Sequence, residues 1–241
     1  MSQLQSVLDT TVSWALQRQF DVRSSAQTGS TNDDAKTAAL REDGDFVLYV
    51  TGHQDHGRGR GRNVWLDTGS GEALLSTWSF NVASAPQPIA APRIGLALFQ
   101  AVSSVWPSLE WSLKAPNDLF LAGQKVGGLL LESVSGGGDF RLLIGLGLNV
   151  LNHPRRFEAD HISDHLGHTL DEGEWFQFLD ALFDQFSKAL GDCVQRELSA
   201  SACKALAQAV NANANRPFVI KEVTPQGDLI HTQGRVRWMD L

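Results

Sequence analysis

The stretch from residue 109 to residue 150 constrains the fold more than any other. Four apolar runs, at 109–113, 119–121, 126–133 and 140–150, are separated only by Pro116-Asn117-Asp118, Ala122-Gly123-Gln124 and Gly136-Gly137-Gly138. Proline presets a turn dihedral, Asn and Asp bond their own backbone, and glycine takes positive φ, so each separator reads as a tight turn. Gaps this short leave no room for a crossover helix, and strands joined by tight turns run antiparallel. The expected class is therefore α+β, a mixed or antiparallel sheet with helices packed on it, and not a doubly wound parallel sheet. Leu4, Val7, Leu8, Val12, Ala15 and Leu16 recur at helical spacing, as do apolar residues over 94–105 and 199–210. Trp175, Phe178, Leu179, Leu182, Phe183 and Phe186 mark one face of a helix over 174–190. Strands are expected at 22–26, 46–51 and 73–80, and two or three short ones in 218–238 with a turn at Gln226-Gly227. Residues 1–200 are expected to form the main domain and 201–241 a small β-rich one.

Composition limits the function classes. The chain has 241 residues, of which 42% are apolar and 20% charged, enough to build a packed core. A net charge of −7 gives no whole-surface attraction for nucleic acid or anionic lipid. Cys193 and Cys203 fit neither a disulfide framework nor a CxxC metal site and read as reduced thiols. The N-terminal segment has no basic stretch followed by an apolar one, and no apolar run approaches the ~20 residues of a membrane span. A cytoplasmic protein that binds neither DNA nor membrane is expected.

Four local patterns carry chemistry. Gly57-Arg58-Gly59-Arg60-Gly61-Arg62 alternates backbone freedom with guanidiniums, follows Gln54 and precedes Trp65. It suits a small-anion site with a ring to stack on a flat ligand; a solvated flexible loop and an RNA-binding Arg-Gly run are the other readings. Lys114-Ala115-Pro116-Asn117-Asp118 precedes Lys125-Val126-Gly127-Gly128. Strand alternation puts Lys125 and Gly127 on one face, and paired glycines inside a strand suggest a ligand lying on the sheet. Gly145, Gly147 and Asn149 share one strand face while Ile144, Leu146, Leu148 and Val150 take the other; the dinucleotide-binding fingerprint is not met. This bare face serves either a ligand or tight packing against a helix. Ser30 and Asp33 form an S-x-x-D capping box at a helix start, with Thr31 and Asn32 in its first turn. The seven histidines show no metal pattern: His161 and His165, near Asp160 and Asp164, read as surface residues, and no metal ligands are expected from the protein.

Taken in order, Gly29-Ser30-Thr31-Asn32, Gln54 before Gly57-Arg58-Gly59-Arg60, Trp65, Pro116-Asn117-Asp118, Lys125-Val126-Gly127-Gly128 ending in Glu132, and Gly145-Leu146-Gly147-Leu148-Asn149 resemble the catalytic domain of biotin–protein ligases. The resemblance implies ATP-dependent activation of biotin as an adenylate and its transfer to a lysine of a biotin carboxyl carrier domain. Ser30, Thr31, Asn32, Gln54, Gly57, Arg58, Gly127 and Gly128 would meet biotin, with Arg58 and Arg60 in a loop that orders over the adenylate. Lys125 would hold the biotin carboxylate and the α-phosphate. Arg60, Trp65, Asn117 and Asn149 would belong to the nucleotide side. Lys125 and Arg60 would be catalytic, and Lys114, Asn117 and Asp118 catalytic or metal-linked. Biotin and ATP would be substrates and magnesium would bridge the triphosphate; the ligase would be a monomer or weak homodimer. Only about twenty residues precede the first strand, too few for the helix-turn-helix module of regulatory relatives.

The chain departs from the family pattern at Gly61-Arg62, which arrive one position early, at Ala115, where an aromatic is usual, and over 67–73, in place of Ser-Pro-x-Gly-x-Asn-Leu. The C-terminal β domain is also shortened. Two alternatives stand beside the ligase reading. One is a degenerate biotin- or adenylate-binding protein without turnover. The other is a lipoate- or octanoate-transferring relative, whose R-R-x-S-G-G-G loop or reactive cysteine is absent here.

Overall fold

The computed structural model describes residues 2–69, 71–155, 158–191 and 195–241. In chain order the elements are α1 (Val7–Gln17), β1 (Asp21–Ser25), α2 (Thr31–Ala38), β2 (Phe46–Thr51), β3 (Ala73–Val82), α3 (Ala90–Val105), β4 (Trp111–Lys114), β5 (Asp118–Leu121), β6 (Gln124–Gly136), β7 (Asp139–Asn149), α4 (Glu172–Gly191), α5 (Ala200–Asn211), β8 (Ile220–Val223), β9 (Leu229–His231) and β10 (Gly234–Val236). They divide into two compact units, one formed by 1–85 and 126–179, the other by 86–125 and 180–241. Cys203 is a half-buried free thiol; Cys193 lies outside the described residues.

In the first unit the strands run in the order β1-β2-β3-β7-β6. β1 pairs with β2 in parallel and the other neighbours are antiparallel, so the sheet is mixed; β6 and β7 pair antiparallel, as the short turn between them predicted. Each face is covered. On one, Trp14 of α1 meets Trp78 at 5.8 Å between ring centroids, and Phe46 packs on Trp78 and Phe80. On the other, Ala35 of α2 packs with Val47, Tyr49 and Leu143. Burial on both faces explains why β2 reads as a near-continuous apolar run instead of an alternating one. α4 begins in this unit, where the indole of Trp175 donates to Thr11 Oγ1 (3.0 Å).

The second unit holds the β4–β5 hairpin, in which Lys114 opposes Asp118, with α3, α5 and an antiparallel sheet in the order β10-β9-β8. Asn211 at the end of α5 acts as a strand partner: its amide donates to the Ile220 carbonyl and accepts from the Ile220 N–H, both at 2.8 Å. Near the C-terminus, Trp238 Nε1 donates to the Pro116 carbonyl (2.7 Å), which pins the Pro-Asn-Asp turn to the tail.

The start of α2 differs from expectation. Ser30 is the extended N-cap residue, but its side chain makes no cap bond. Gln54 Oε1 takes the Thr31 N–H instead, at 2.9 Å. Asp33 turns toward Arg58, so the capping box does not form. A long-range amide has replaced the local cap.

Candidate functional site

In the first unit the site is built on bare backbone. Directly opposed residues of antiparallel strands point to the same face. Gly128 opposes Gly147, and Leu130 opposes Gly145. Gly128, Gly145, Gly147 and Asn149 therefore share the α2 side of the sheet. Gly127 opposes Leu148 and faces the other way, so of the paired glycines only Gly128 bares this surface. Both β7 glycines are sterically required. A Cβ on Gly145 would fall 2.1 Å from Asn32 Oδ1, and one on Gly147 would fall 2.4 Å from the Trp65 ring. The glycines thus clear room for an amide and an indole belonging to the protein itself.

Around this face the predicted polar residues converge. Thr77 Oγ1 donates to Asn32 Oδ1 (2.6 Å), and Asn32 Nδ2 reaches Glu132 Oε2 (3.1 Å) and the Leu130 carbonyl (3.3 Å). Gln54 Oε1 accepts from the backbone of Thr31 and lies 3.3 Å from its hydroxyl. Ser30, Thr31 and Asn32 are all buried. Arg58 grips Glu132 with two parallel bonds of 3.0 Å and also contacts Asp33. Burial alone would raise the Glu132 pKa; bonds from Asn32, Arg58 and Lys36 overcome it and hold the carboxyl below its usual range. The Arg58 charge is therefore already compensated, whereas the sequence motif suggested an open cation.

The Arg-Gly segment folds back on itself. Trp65 N–H bonds the Gly57 carbonyl (2.9 Å), Gly59 N–H the Asn63 carbonyl (2.9 Å), and Asn63 N–H the Arg60 carbonyl (3.2 Å). A Cβ on Gly57 would lie 2.4 Å from the Trp65 carbonyl oxygen, so this closure requires glycine. At the end of β7, Asn149 Nδ2 donates to the Asp160 carbonyl (2.9 Å), while its Oδ1 is buried without a hydrogen-bond partner.

In the second unit, Lys125 Nζ lies 2.7 Å from Asp118 Oδ1. The resemblance implied that Lys125 holds two anions; here Asp118, from the hairpin, already places a carboxylate on it. Lys114 sits over the Phe120 ring at 5.6 Å. Asn117 occupies the turn whose preceding carbonyl, that of Pro116, is held by Trp238.

The family model for the biotin/lipoate A/B protein ligases matches residues 25–149, just over half of the chain. The chain belongs to the biotin/lipoate A/B protein ligase family. A relative named biotin–acetyl-CoA-carboxylase ligase from Mycobacterium tuberculosis is 36% identical over 154 residues, covering 61% of this chain and 54% of the relative. The ligase of the same name from Paracoccus denitrificans is 30% identical over 175 residues, covering 68% and 70%. This chain thus matches little more than half the length of the mycobacterial relative. The fold is that of biotin protein ligase from Aquifex aeolicus, solved with biotin and ATP: TM-score 0.65, 18% identity, 90% of this chain and 94% of that one. The Leishmania major biotin protein ligase solved with biotinyl-5-AMP gives a TM-score of 0.62 at 20% identity, covering 89% and 96%.

Two departures from the family pattern acquire a physical account. Asp67 replaces part of the usual Ser-Pro segment, and its side chain is 1% exposed. It accepts from the Gln54 N–H (3.2 Å) and the Gly69 N–H (2.7 Å) and bonds His53 Nδ1 (2.7 Å). This anchor fixes Gln54 and raises the His53 pKa through the hydrogen bond. Ala115, where the family carries an aromatic, is buried against a mainly apolar cavity of about 140 Å³ lined by Leu113, Val210, Pro217 and Phe218. The missing ring leaves space. Sequence reasoning missed Asp67, Thr77 and the role of Glu132; the S/T/N/Q character of their partners was the available signal.

Proposed function

We propose that this protein is a biotin–protein ligase. It activates biotin with ATP as biotinyl-adenylate and transfers the acyl group to a lysine of the carrier domain of a biotin-dependent carboxylase. The names of its relatives support this reading. The observation that carries it is the buried cluster of neutral amides and hydroxyls from Thr31, Asn32, Gln54 and Thr77, which Gly145 admits by leaving room for Asn32. Neutral donors and acceptors suit an uncharged ureido ring.

In the first step the biotin carboxylate attacks the α-phosphorus of ATP, an O–P bond forms, and pyrophosphate leaves. Two anions must be brought together, and Lys125 and Arg60 are the cations assigned to them. Lys125 exchanges its contact with Asp118 for the incoming carboxylate and phosphate. Magnesium would neutralise the triphosphate; the oxygen donors Asn117 and Asp118 suit it, since this ion takes few protein ligands and keeps phosphate and water. Trp65 and Asn149 take the nucleotide side. In the second step the carrier lysine, as free amine, attacks the acyl carbon; an amide forms and AMP leaves. We assign to Asp118, once parted from Lys125, the orienting of that amine, with Lys114 opposite it across the hairpin. Arg58, committed to Glu132, shapes the loop more than it binds anions. The enzyme acts as a monomer or weak homodimer in the cytoplasm without binding DNA. Among the described residues no helix is long and apolar enough to cross a membrane.

The test mixes protein, biotin, ATP and magnesium with a biotin carboxyl carrier domain and reads intact mass. One biotin at a single lysine is expected, lost without ATP and not replaced by lipoate. Biotin binding with no mass shift on a competent carrier would favour the degenerate binder, and lipoate transfer the other branch of the family.

A further inference from the structure

We propose that His153, Asp160 and His161 form a binding site for one divalent transition-metal ion of the zinc class, at the end of β7. The motif reading took the histidines for surface residues, yet His161 is 8% exposed. Among the described residues these three make up the group whose donor atoms lie within 4.8 Å of one another. His153 Nδ1 and His161 Nδ1 are 2.8 Å apart; Asp160 Oδ1 is 3.9 Å from the first and 3.7 Å from the second. A tetrahedral ion with bonds of ~2.0 Å sets its ligand atoms about 3.3 Å apart, close to the mean of this triangle. Three protein donors leave a fourth position for water. Two imidazole nitrogens facing each other at 2.8 Å must share a proton, and a metal ion would take its place as the rings part slightly.

The outer contacts are those a metal-bound histidine uses. The other ring nitrogen of His161, Nε2, lies 3.2 Å from Asp164 Oδ1, and a carboxylate at that position orients a ligating imidazole and increases its basicity. Asp160 is likewise held, with Oδ2 2.8 Å from His165 Nε2 and Oδ1 accepting from the His161 N–H. His153 follows closely on the end of β7, and the Asp160 carbonyl accepts from the side chain of Asn149, the last residue of that strand. An ion here would therefore tie His153 to Asp160 and fix Asn149, independently of any magnesium that accompanies ATP.

The chelator-treated full-length protein is titrated with zinc against a chromophoric chelator, and with cobalt to read the visible bands of a four-coordinate site. One equivalent is expected, with tetrahedral cobalt bands and a higher thermal midpoint. Asp164→Asn should weaken binding about 10–100-fold, and His153→Gln or His161→Gln by more. His168→Gln, at an exposed histidine paired with Glu174, should change nothing. The His153 ring is a quarter exposed, so its variant remains informative if His161→Gln misfolds. Wild-type binding no tighter than that of folded His153→Gln, or octahedral cobalt bands, would overturn the proposal.

Discussion

The carboxylate–guanidinium pairs Arg141–Glu42 and Arg58–Glu132 both lie within the first unit and behave differently. Arg141 and Glu42 have side chains only 3% and 7% exposed. Arg141 Nε contacts Glu42 Oε2 (3.0 Å) and Ser79 Oγ (2.9 Å), and its two terminal nitrogens bond the carbonyls of Gly44 (2.8 Å) and Ser79 (3.2 Å). Glu42 also accepts from the Tyr49 hydroxyl, and burial followed by this bond pushes the Tyr49 phenol above its ordinary value. Arg58 and Glu132 are 37% and 16% exposed, and their shared atoms border the bare glycine face. The chemistry is the same in both pairs, while water access differs. The first can only hold structure; the second sits where a ligand can rearrange it.

The sharpest way to break this contrast is Arg141→Met. Glu42 would keep its charge with its main partner gone, and an orphaned buried ion costs about 3–5 kcal/mol. Urea unfolding of the variant should show that loss. A loss below about 1 kcal/mol would mean that water reaches Glu42, and the two pairs would then be alike.

A further pair, Lys125–Asp118 in the second unit, joins partly exposed groups, 35% and 21%. It is the kind of pair a substrate can displace. Lys125→Ala should leave stability near that of the wild type and slow adenylate formation by a charge-assisted bond, about 1.5–3 kcal/mol in the barrier. Pyrophosphate release by the folded variant at the parental rate would remove Lys125 from the chemistry.

These pairs also show where sequence reading stops. The turns read at 116–118 and 136–138, the strand at 46–51 and the glycines of β7 were legible because each is a local pattern with a period or a breaker. Arg141–Glu42 was not: its partners are far apart in the chain and neither lies in a motif. Asp67 looked like a lost family residue, since nothing local says that an aspartate will be buried on a neighbouring loop. The choice of Gly128 over Gly127 rests on register, which the partner strand sets and one residue of slip reverses. The histidine cluster escaped because the two rings that meet, His153 and His161, do not share a helical spacing; the pair that does, His161 and His165, meets through Asp160.

Gly145→Ala tests whether the glycine face is shaped by the protein's own amide. The new methyl would fall 2.1 Å from Asn32 Oδ1, which Thr77 holds, while Glu132 and the Leu130 carbonyl hold the other end of the amide. Asn32 must move, at about 1–3 kcal/mol. Biotin affinity should fall with stability. Calorimetric titration showing weaker folding but undiminished biotin affinity would separate Asn32 from the ligand.

The smallest effect belongs to Glu132→Gln, and it sharpens the comparison through pH. The variant keeps the shape and loses the charge that Arg58, Lys36 and Asn32 bond. Because Arg58 is more than a third open to water, solvent screens the pair, and the expected loss is about 1 kcal/mol at neutral pH. Glu132 is held below its ordinary value of 4.5, so the folded state binds this proton more weakly than the unfolded chain. Its contribution is therefore complete above pH 4.5 and disappears as pH falls through the lower folded value. Urea midpoints of wild type and variant, measured down a pH series, should differ at neutrality and converge in acid. A gap that stays constant through the acid limb would mean that hydrogen-bond geometry, and not the Glu132 charge, is what Arg58 contributes, and the exposed pair would then be as structural as the buried one.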